Sequence, residues 1–159
     1  MDTSETQFAQ MVEQHKSTVY TVCYLFADDA DEVNDLFQET LINLWKGWKG
    51  FEGRSELKSW IWRVSFNTCI SYERRKKRRH ERPLTNIDLF SETRNEDDRQ
   101  IRLLYNRIHR LKPFDRAIVL LWLENISYDE IAAIVGITVK NVSVRLYRIK
   151  EELKRMSDQ

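Results

Sequence analysis

The chain has 159 residues, with 26 Lys and Arg against 25 Asp and Glu, a net charge of +1, 42% apolar residues, 4 Gly and 2 Pro. The apolar share excludes a fully disordered chain, and the scarcity of Gly and Pro favours long helices over a turn-rich sheet protein. An acidic, polar start, no apolar run of about eighteen residues, and two cysteines without framework spacing argue for a cytoplasmic chain with no secretory leader, membrane insertion or disulfide scaffold.

The near-zero charge conceals an asymmetry. Residues 1–50 hold 3 basic and 9 acidic residues, whereas residues 51–82 hold 10 basic and 4 acidic. The remaining stretches, 83–124 and 125–159, are close to balanced. An acidic surface followed by a basic one suits two different partners, the basic one being the usual footprint of a phosphate backbone.

The first helix is expected from Gln7 to Phe26, where Phe8, Met11, Val12, His15, Val19, Val22, Cys23 and Phe26 recur at steps of three and four. Asp29, with Glu32 three residues on, has the spacing of a capping box for a second helix over 30–48. Val33, Leu36, Phe37, Leu41, Leu44, Trp45 and Trp48 form its apolar stripe. Gly47, Gly50 and Gly53 then suggest a tight turn, or the close approach of another group, before a third helix, Glu56 to Arg78, capped by Ser55. Its buried stripe is read as Leu57, Trp60, Ile61, Val64, Thr68 and Tyr72. It ends in six consecutive cations, Arg74 to Arg79, whose mutual repulsion a counter-charge outside the chain would relieve.

Periodicity is lost over 80–98, which reads as a linker between two domains, with Leu84, Ile87, Leu89 and Phe90 able to tuck against one of them. A fourth helix carries Ile101, Leu104, Tyr105 and Ile108, and Pro113 opens a fifth at a position where its missing N–H costs nothing. Ser127 and Glu130 form a capping box for a short sixth helix that Gly136 ends. Val139 to Met156 forms the last helix, with Val142, Leu146, Ile149 and Leu153 inward. The fold class is therefore all-α: two small helical domains joined by a flexible linker.

The short helix, turn and longer helix of 127–150 make a helix-turn-helix pattern, in which the second helix enters the major groove. Ala132 is small enough for the two helices to approach closely, and Ile137 plugs their angle. Lys140, Asn141, Ser143, Val144, Arg145 and Arg148 face outward, types able to read base edges or a thymine methyl, with Arg148 and Lys150 further along toward phosphate. Over 51–79, Phe51, Trp60, Trp62 and Phe66 interleave with Arg54, Lys58, Arg63, Asn67 and the basic run. Single-stranded nucleic acid needs that combination of stacking rings and backbone cations. Core packing is the competing reading, favoured for Trp60 and evenly balanced for Trp62. Asp35, Gln38 and Glu39 either bind a basic protein or face water. His15, His80 and His109 are isolated and neither cysteine has ligand spacing, so no enzyme, metal, cofactor or small-molecule substrate is expected.

Asp35-Leu36-Phe37-Gln38-Glu39-Thr40, Phe51-Glu52-Gly53-Arg54-Ser55 and Trp60 to Asn67 resemble region 2 of bacterial extracytoplasmic-function sigma factors. Leu111 to Arg116, Ile126 to Ala132 and Val142 to Arg148 resemble their region 4. The resemblance covers nearly the whole chain in order. It implies a sigma factor that binds core RNA polymerase, recognises promoter DNA and promotes its melting, without catalysis of its own. It assigns residues 5–79 to region 2, 80–98 to the linker and 99–156 to region 4. Asp35, Leu36, Gln38 and Glu39 would then bind polymerase. Phe51, Arg54, Lys58, Trp62, Arg63, Asn67, Arg74 and Arg75 would hold the −10 element as a single strand. Lys140, Asn141, Ser143, Val144, Arg145 and Arg148 would read the −35 element as duplex. An anti-sigma factor is a further implied partner. The chain departs from the family where Lys140-Asn141 replaces the common Gly-Thr, Ser143-Val144 replaces Lys-Ser, and Ser65 replaces a frequent alanine. The alternative from the residues alone is a helix-turn-helix regulator that acts without being a polymerase subunit.

Overall fold

The computed structural model describes residues 3–51, 53, 56–79 and 96–156. It divides the chain into two compact units, Met1–Arg82 and Pro83–Gln159. The described elements are helices α1 (Thr3–Phe26), α2 (Ala30–Phe51) and α3 (Leu57–Arg79) in the first unit. The second holds α4 (Glu96–His109), α5 (Pro113–Leu123), α6 (Tyr128–Val135) and α7 (Val139–Arg155). The expected linker core residues Leu84, Ile87, Leu89 and Phe90, the Ser55 cap and Arg54 lie outside the described residues.

In the first unit each helix packs on the other two. The α2 start is capped as expected: Asp29 Oδ1 accepts from the Glu32 N–H at 2.8 Å, and Glu32 Oε1 accepts from the Asp28 N–H at 2.9 Å. The glycine run does not turn at Gly47. Helix α2 continues through Gly47 and Gly50 to Phe51, and the turn comes at Gly53, whose φ is +69°. Gly47 serves close approach instead, since a Cβ there would sit 3.2 Å from the Trp60 indole. Around that contact Phe8, Trp45, Trp48, Phe51 and Trp60 form one aromatic cluster, with Phe51 and Trp60 ring centroids 4.9 Å apart.

The buried face of α3 differs from the expected stripe. Ile61, Trp62, Ser65, Phe66, Thr68 and Cys69 are buried, while Leu57, Trp60, Val64 and Tyr72 are half-buried. Because α3 lies against both α1 and α2, it needs a broader apolar face than one stripe supplies. Phe66 meets Phe26 of α1 edge-on and stacks on Trp62. Cys23 and Cys69 are buried, free thiols. The hydrogen bond with Cys23, and then burial, push the Cys69 thiol well above its usual pKa, so it stays protonated and unreactive.

Ser65 Oγ and Trp62 Nε1 are buried with no hydrogen-bond partner among the described residues. A buried hydroxyl without a partner costs stability. Ser65→Ala is therefore expected to stabilise the first unit by about 1 kcal/mol in urea unfolding. An unchanged or lower midpoint would show that the hydroxyl is satisfied.

In the second unit α5 packs on α4, α6 and α7, and α6 packs on α7. Ala117 to Leu121 on α5 are buried at its centre, with Ile108, Leu111, Ile131, Val142, Leu146 and Ile149 around them. Pro113 occupies the first turn of α5, and the buried Arg116 donates from Nε to the Leu111 carbonyl at 2.8 Å.

Candidate nucleic-acid interface

The helix-turn-helix forms from the local signals in its sequence. Ser127 Oγ accepts from the Glu130 N–H and begins α6. Gly136 ends it in the left-handed region at φ 79°, with its N–H on the Ala132 carbonyl at 2.8 Å. Thr138 is the cap of α7: its Oγ1 accepts from the Asn141 N–H.

On α7 all six expected readers, Lys140, Asn141, Ser143, Val144, Arg145 and Arg148, are exposed, outside the buried stripe of Val142, Leu146 and Ile149, with Arg145 at its edge. Tyr147, which sequence reasoning passed over, is 69% exposed; its one-residue step from Leu146 to the next face would have placed it outward. Arg145 and Lys150 are engaged by α5. Arg145 Nη1 lies 3.3 Å from Asp115 Oδ1, and its guanidinium sits 4.8 Å from the Phe114 ring centre. Lys150 is half-buried with its ammonium 4.2 Å from the Trp122 ring centre, a cation–π contact that braces α5 against α7.

In the first unit the expected −10 residues divide. Arg63, Asn67 and Arg74 follow one another at helical spacing on the side of α3 away from its core, with Asn67 and Arg74 exposed and Arg63 half-buried. Ser71, one turn beyond Asn67, is exposed on the same face and was missed; the four-residue step identifies it. Trp62 does not join them. It is 2% exposed, stacked against Phe66 at 5.6 Å, and offers no ring face to a base. Phe51 is half-buried between Trp48 and Trp60. Lys58 is exposed at the start of α3 close to His15, where burial and then the Lys58 charge hold the imidazole below its usual pKa.

The six-cation run is partly neutralised inside the chain. Lys76 Nζ donates to Asp28 Oδ2 and, at 2.8 Å, to Glu32 Oε1, while the Tyr72 hydroxyl donates to Glu32 Oε2 at 3.1 Å. Arg75 bonds Glu39 at 2.8 Å and lies over the Tyr72 ring. Arg74 remains exposed.

On α2, Asp35 and Gln38 are exposed and Glu39 is half-buried. Leu36 is 0% exposed, which corrects its placement on a polymerase-binding surface: it belongs to the core. The outward stripe continues instead through Ile42 and Trp45, 53% and 40% exposed. Steps of four and three from Gln38 locate both. Among the described residues no helix is long and apolar enough to cross a membrane, and no cluster of His, Cys, Asp and Glu could hold a metal ion.

Comparison with known proteins agrees with this arrangement. Residues 11–79 match Sigma-70 region 2, and residues 101–153 match Sigma-70, region 4. The chain is 32% identical over 78 residues to the ECF RNA polymerase sigma factor SigG of Mycobacterium tuberculosis, a match that spans 49% of this chain and only 21% of that protein. It is 26% identical to the ECF RNA polymerase sigma factor SigW of Bacillus subtilis, over 93% of this chain and 87% of that one. In fold it is similar to the sigma factor RpoE of Bartonella quintana, solved with the anti-sigma factor NepR, at a TM-score of 0.70 and 21% identity over 93% of this chain and 94% of that one. CnrH, solved with the cytosolic domain of CnrY, superimposes at a TM-score of 0.67 and 22% identity over 94% and 86%. With regions 2 and 4 present in order on two separate helical units, the chain belongs to the sigma-70 family, among its extracytoplasmic-function members.

Proposed function

We propose that this chain is a promoter-recognition subunit: it binds core RNA polymerase, reads a −35 element as duplex, and holds the −10 element as a melted strand. The observation that carries this reading is the presence, on one chain, of a capped helix-turn-helix with an outward polar helix face and a separate unit whose α3 displays Arg63, Asn67 and Arg74 together. Sequence reading by α7 falls to Lys140, Asn141, Ser143, Val144, Arg145 and Arg148. The α2 stripe of Asp35, Gln38, Ile42 and Trp45 joins polar and apolar contact for a protein surface, with Glu39 at its flank. We assign 5–79 to polymerase and −10 binding, 80–98 to the linker and 99–156 to −35 binding. The work is done by binding energy: contacts to the unpaired strand offset the few kcal/mol of unstacking. The polymerase makes the bonds, and this chain performs no catalysis. The relative solved with the anti-sigma factor NepR supports an anti-sigma factor as a further partner. The site of action is the cytoplasm.

The test is transcription by core polymerase with and without the chain on a pool of genomic promoter fragments, with 5′ ends mapped. Transcripts from a subset sharing upstream elements are expected. No stimulation over core alone would overturn the reading, and tight duplex binding without polymerase would favour a free-standing regulator. Asn67→Ala is expected to slow promoter opening about five- to tenfold, the loss of a hydrogen bond or two to the strand, with closed-complex binding little changed. Permanganate reactivity of unpaired thymines against a binding titration checks this; equal losses in both would count against the assignment.

A further inference from the structure

Arg145 lies at the edge of the exposed α7 face, beside the buried Ile149 and toward α5. There it is held from two sides by the first turn of α5: an ion pair to Asp115 at 3.3 Å and the face of Phe114 at 4.8 Å. That turn is itself fixed. Pro113 sets its backbone, and the buried Arg116 ties it to the Leu111 carbonyl. The Arg145 side chain remains 44% exposed, against 18% for Asp115. The guanidinium thus spends donor capacity on Asp115 and keeps other N–H groups of its five-donor fork for an incoming partner.

Stability does not account for this pair, because a partly exposed ion pair contributes little. Unspecific affinity does not account for it either, because a carboxylate beside a nucleic-acid-facing helix repels phosphate. A carboxylate that fixes the orientation of a base-reading arginine accounts for both its place and its charge. We propose that Asp115, assisted by Phe114, is a positioning residue that sets the base specificity of Arg145, giving up some overall DNA affinity to sharpen sequence choice. The proposal rests on the promoter-reading function above.

The experiment uses the full chain bound to core polymerase. Duplex promoters with a randomised upstream element are selected by the wild type, and the winning sequence is compared with its single-base-pair substitutions for wild type, Asp115→Asn, Arg145→Ala, the double variant and Asp115→Glu. Asp115→Asn is expected to lower the ratio of matched to substituted affinity about tenfold at the base pairs where Arg145→Ala lowers it. It should leave or raise affinity for the substituted duplexes, with the double variant no worse than Arg145→Ala, partial recovery in Asp115→Glu and an unchanged unfolding midpoint. A uniform rise in affinity with discrimination intact would overturn the proposal, making Asp115 only a repelling charge. So would lost discrimination at base pairs that Arg145→Ala does not touch, or a loss that follows a lowered unfolding midpoint. A wild type that selects no sequence overturns the promoter reading and this proposal with it. A selective wild type matched by an equally selective Asp115→Asn overturns this proposal alone.

Discussion

Trp62→Ala is expected to destabilise the first unit by about 4 kcal/mol, a loss typical of a fully buried aromatic. Trp62 is 2% exposed and stacks on Phe66, which in turn meets Phe26 across the α1–α3 interface. Its removal leaves a cavity beside Phe66, where neighbouring helices limit collapse. Urea unfolding followed by circular dichroism measures the effect. Trp62→Phe refines it, because the ring stays while the unpartnered indole N–H goes; a cost within about 1.5 kcal/mol is expected. If Trp62 acted as a base-stacking platform, both variants would fold as the wild type does and fail only at promoter opening. A wild-type midpoint for Trp62→Ala would therefore reject the core assignment.

Lys76→Ala is expected to cost about 3 kcal/mol, far more than Arg75→Ala next to it. The two cations differ in burial. The Lys76 side chain is 12% exposed and meets Asp28 and Glu32, the latter 6% exposed, so its removal strands carboxylates away from water. Arg75 and Glu39 are 49% and 38% exposed, and water replaces either partner at about 0.5 kcal/mol or less. The Lys76 bonds also join the capped start of α2 to the end of α3. A pH profile provides a second check. Burial works against the Lys76 ammonium, but hydrogen bonds and charge from Asp28 and Glu32 outweigh it and raise its pKa. A group whose folded pKa lies above the unfolded value gives its full stability below that unfolded value, about 10.4 for lysine, and loses it as pH rises through the folded one. Wild-type stability should hold at neutral pH and fall above about pH 10.5, and Lys76→Ala should flatten that alkaline fall. Equal unfolding midpoints for wild type and Lys76→Ala at pH 7 would refute the role.

Local chemistry was legible wherever few neighbouring residues decide the outcome. The Asp29 and Ser127 caps, Pro113 in the first turn of α5 and Gly136 at the end of α6 form as their spacing requires. The outward set on α7 was legible because one strong stripe, Val142, Leu146 and Ile149, fixes its rotation. The same logic misplaced residues on α3. Trp62 and Phe66 fit a stacking surface and a core equally well in sequence, and helical period alone cannot say how many neighbours a helix has. The glycine run left turn and close approach both open for a related reason. Gly47 marked a close approach to Trp60, a residue distant in sequence, and not a turn.

The sequence by itself determined that this is an all-helical chain with an acidic and then a basic stretch, a capped helix-turn-helix and a polar recognition face. Each of these depends on periodicity, capping or charge order within a few turns of helix. Only the tertiary structure decided which aromatic rings are core, that Trp45 lies outside with Ile42 although periodicity groups it with the buried Leu36, and which cations are already paired. Lys76 with Asp28 and Glu32, and Arg145 with Asp115, bring together residues 30 or more positions apart. Such pairs form only when packing sets the rotation and depth of two helices at once, and no local period encodes that choice.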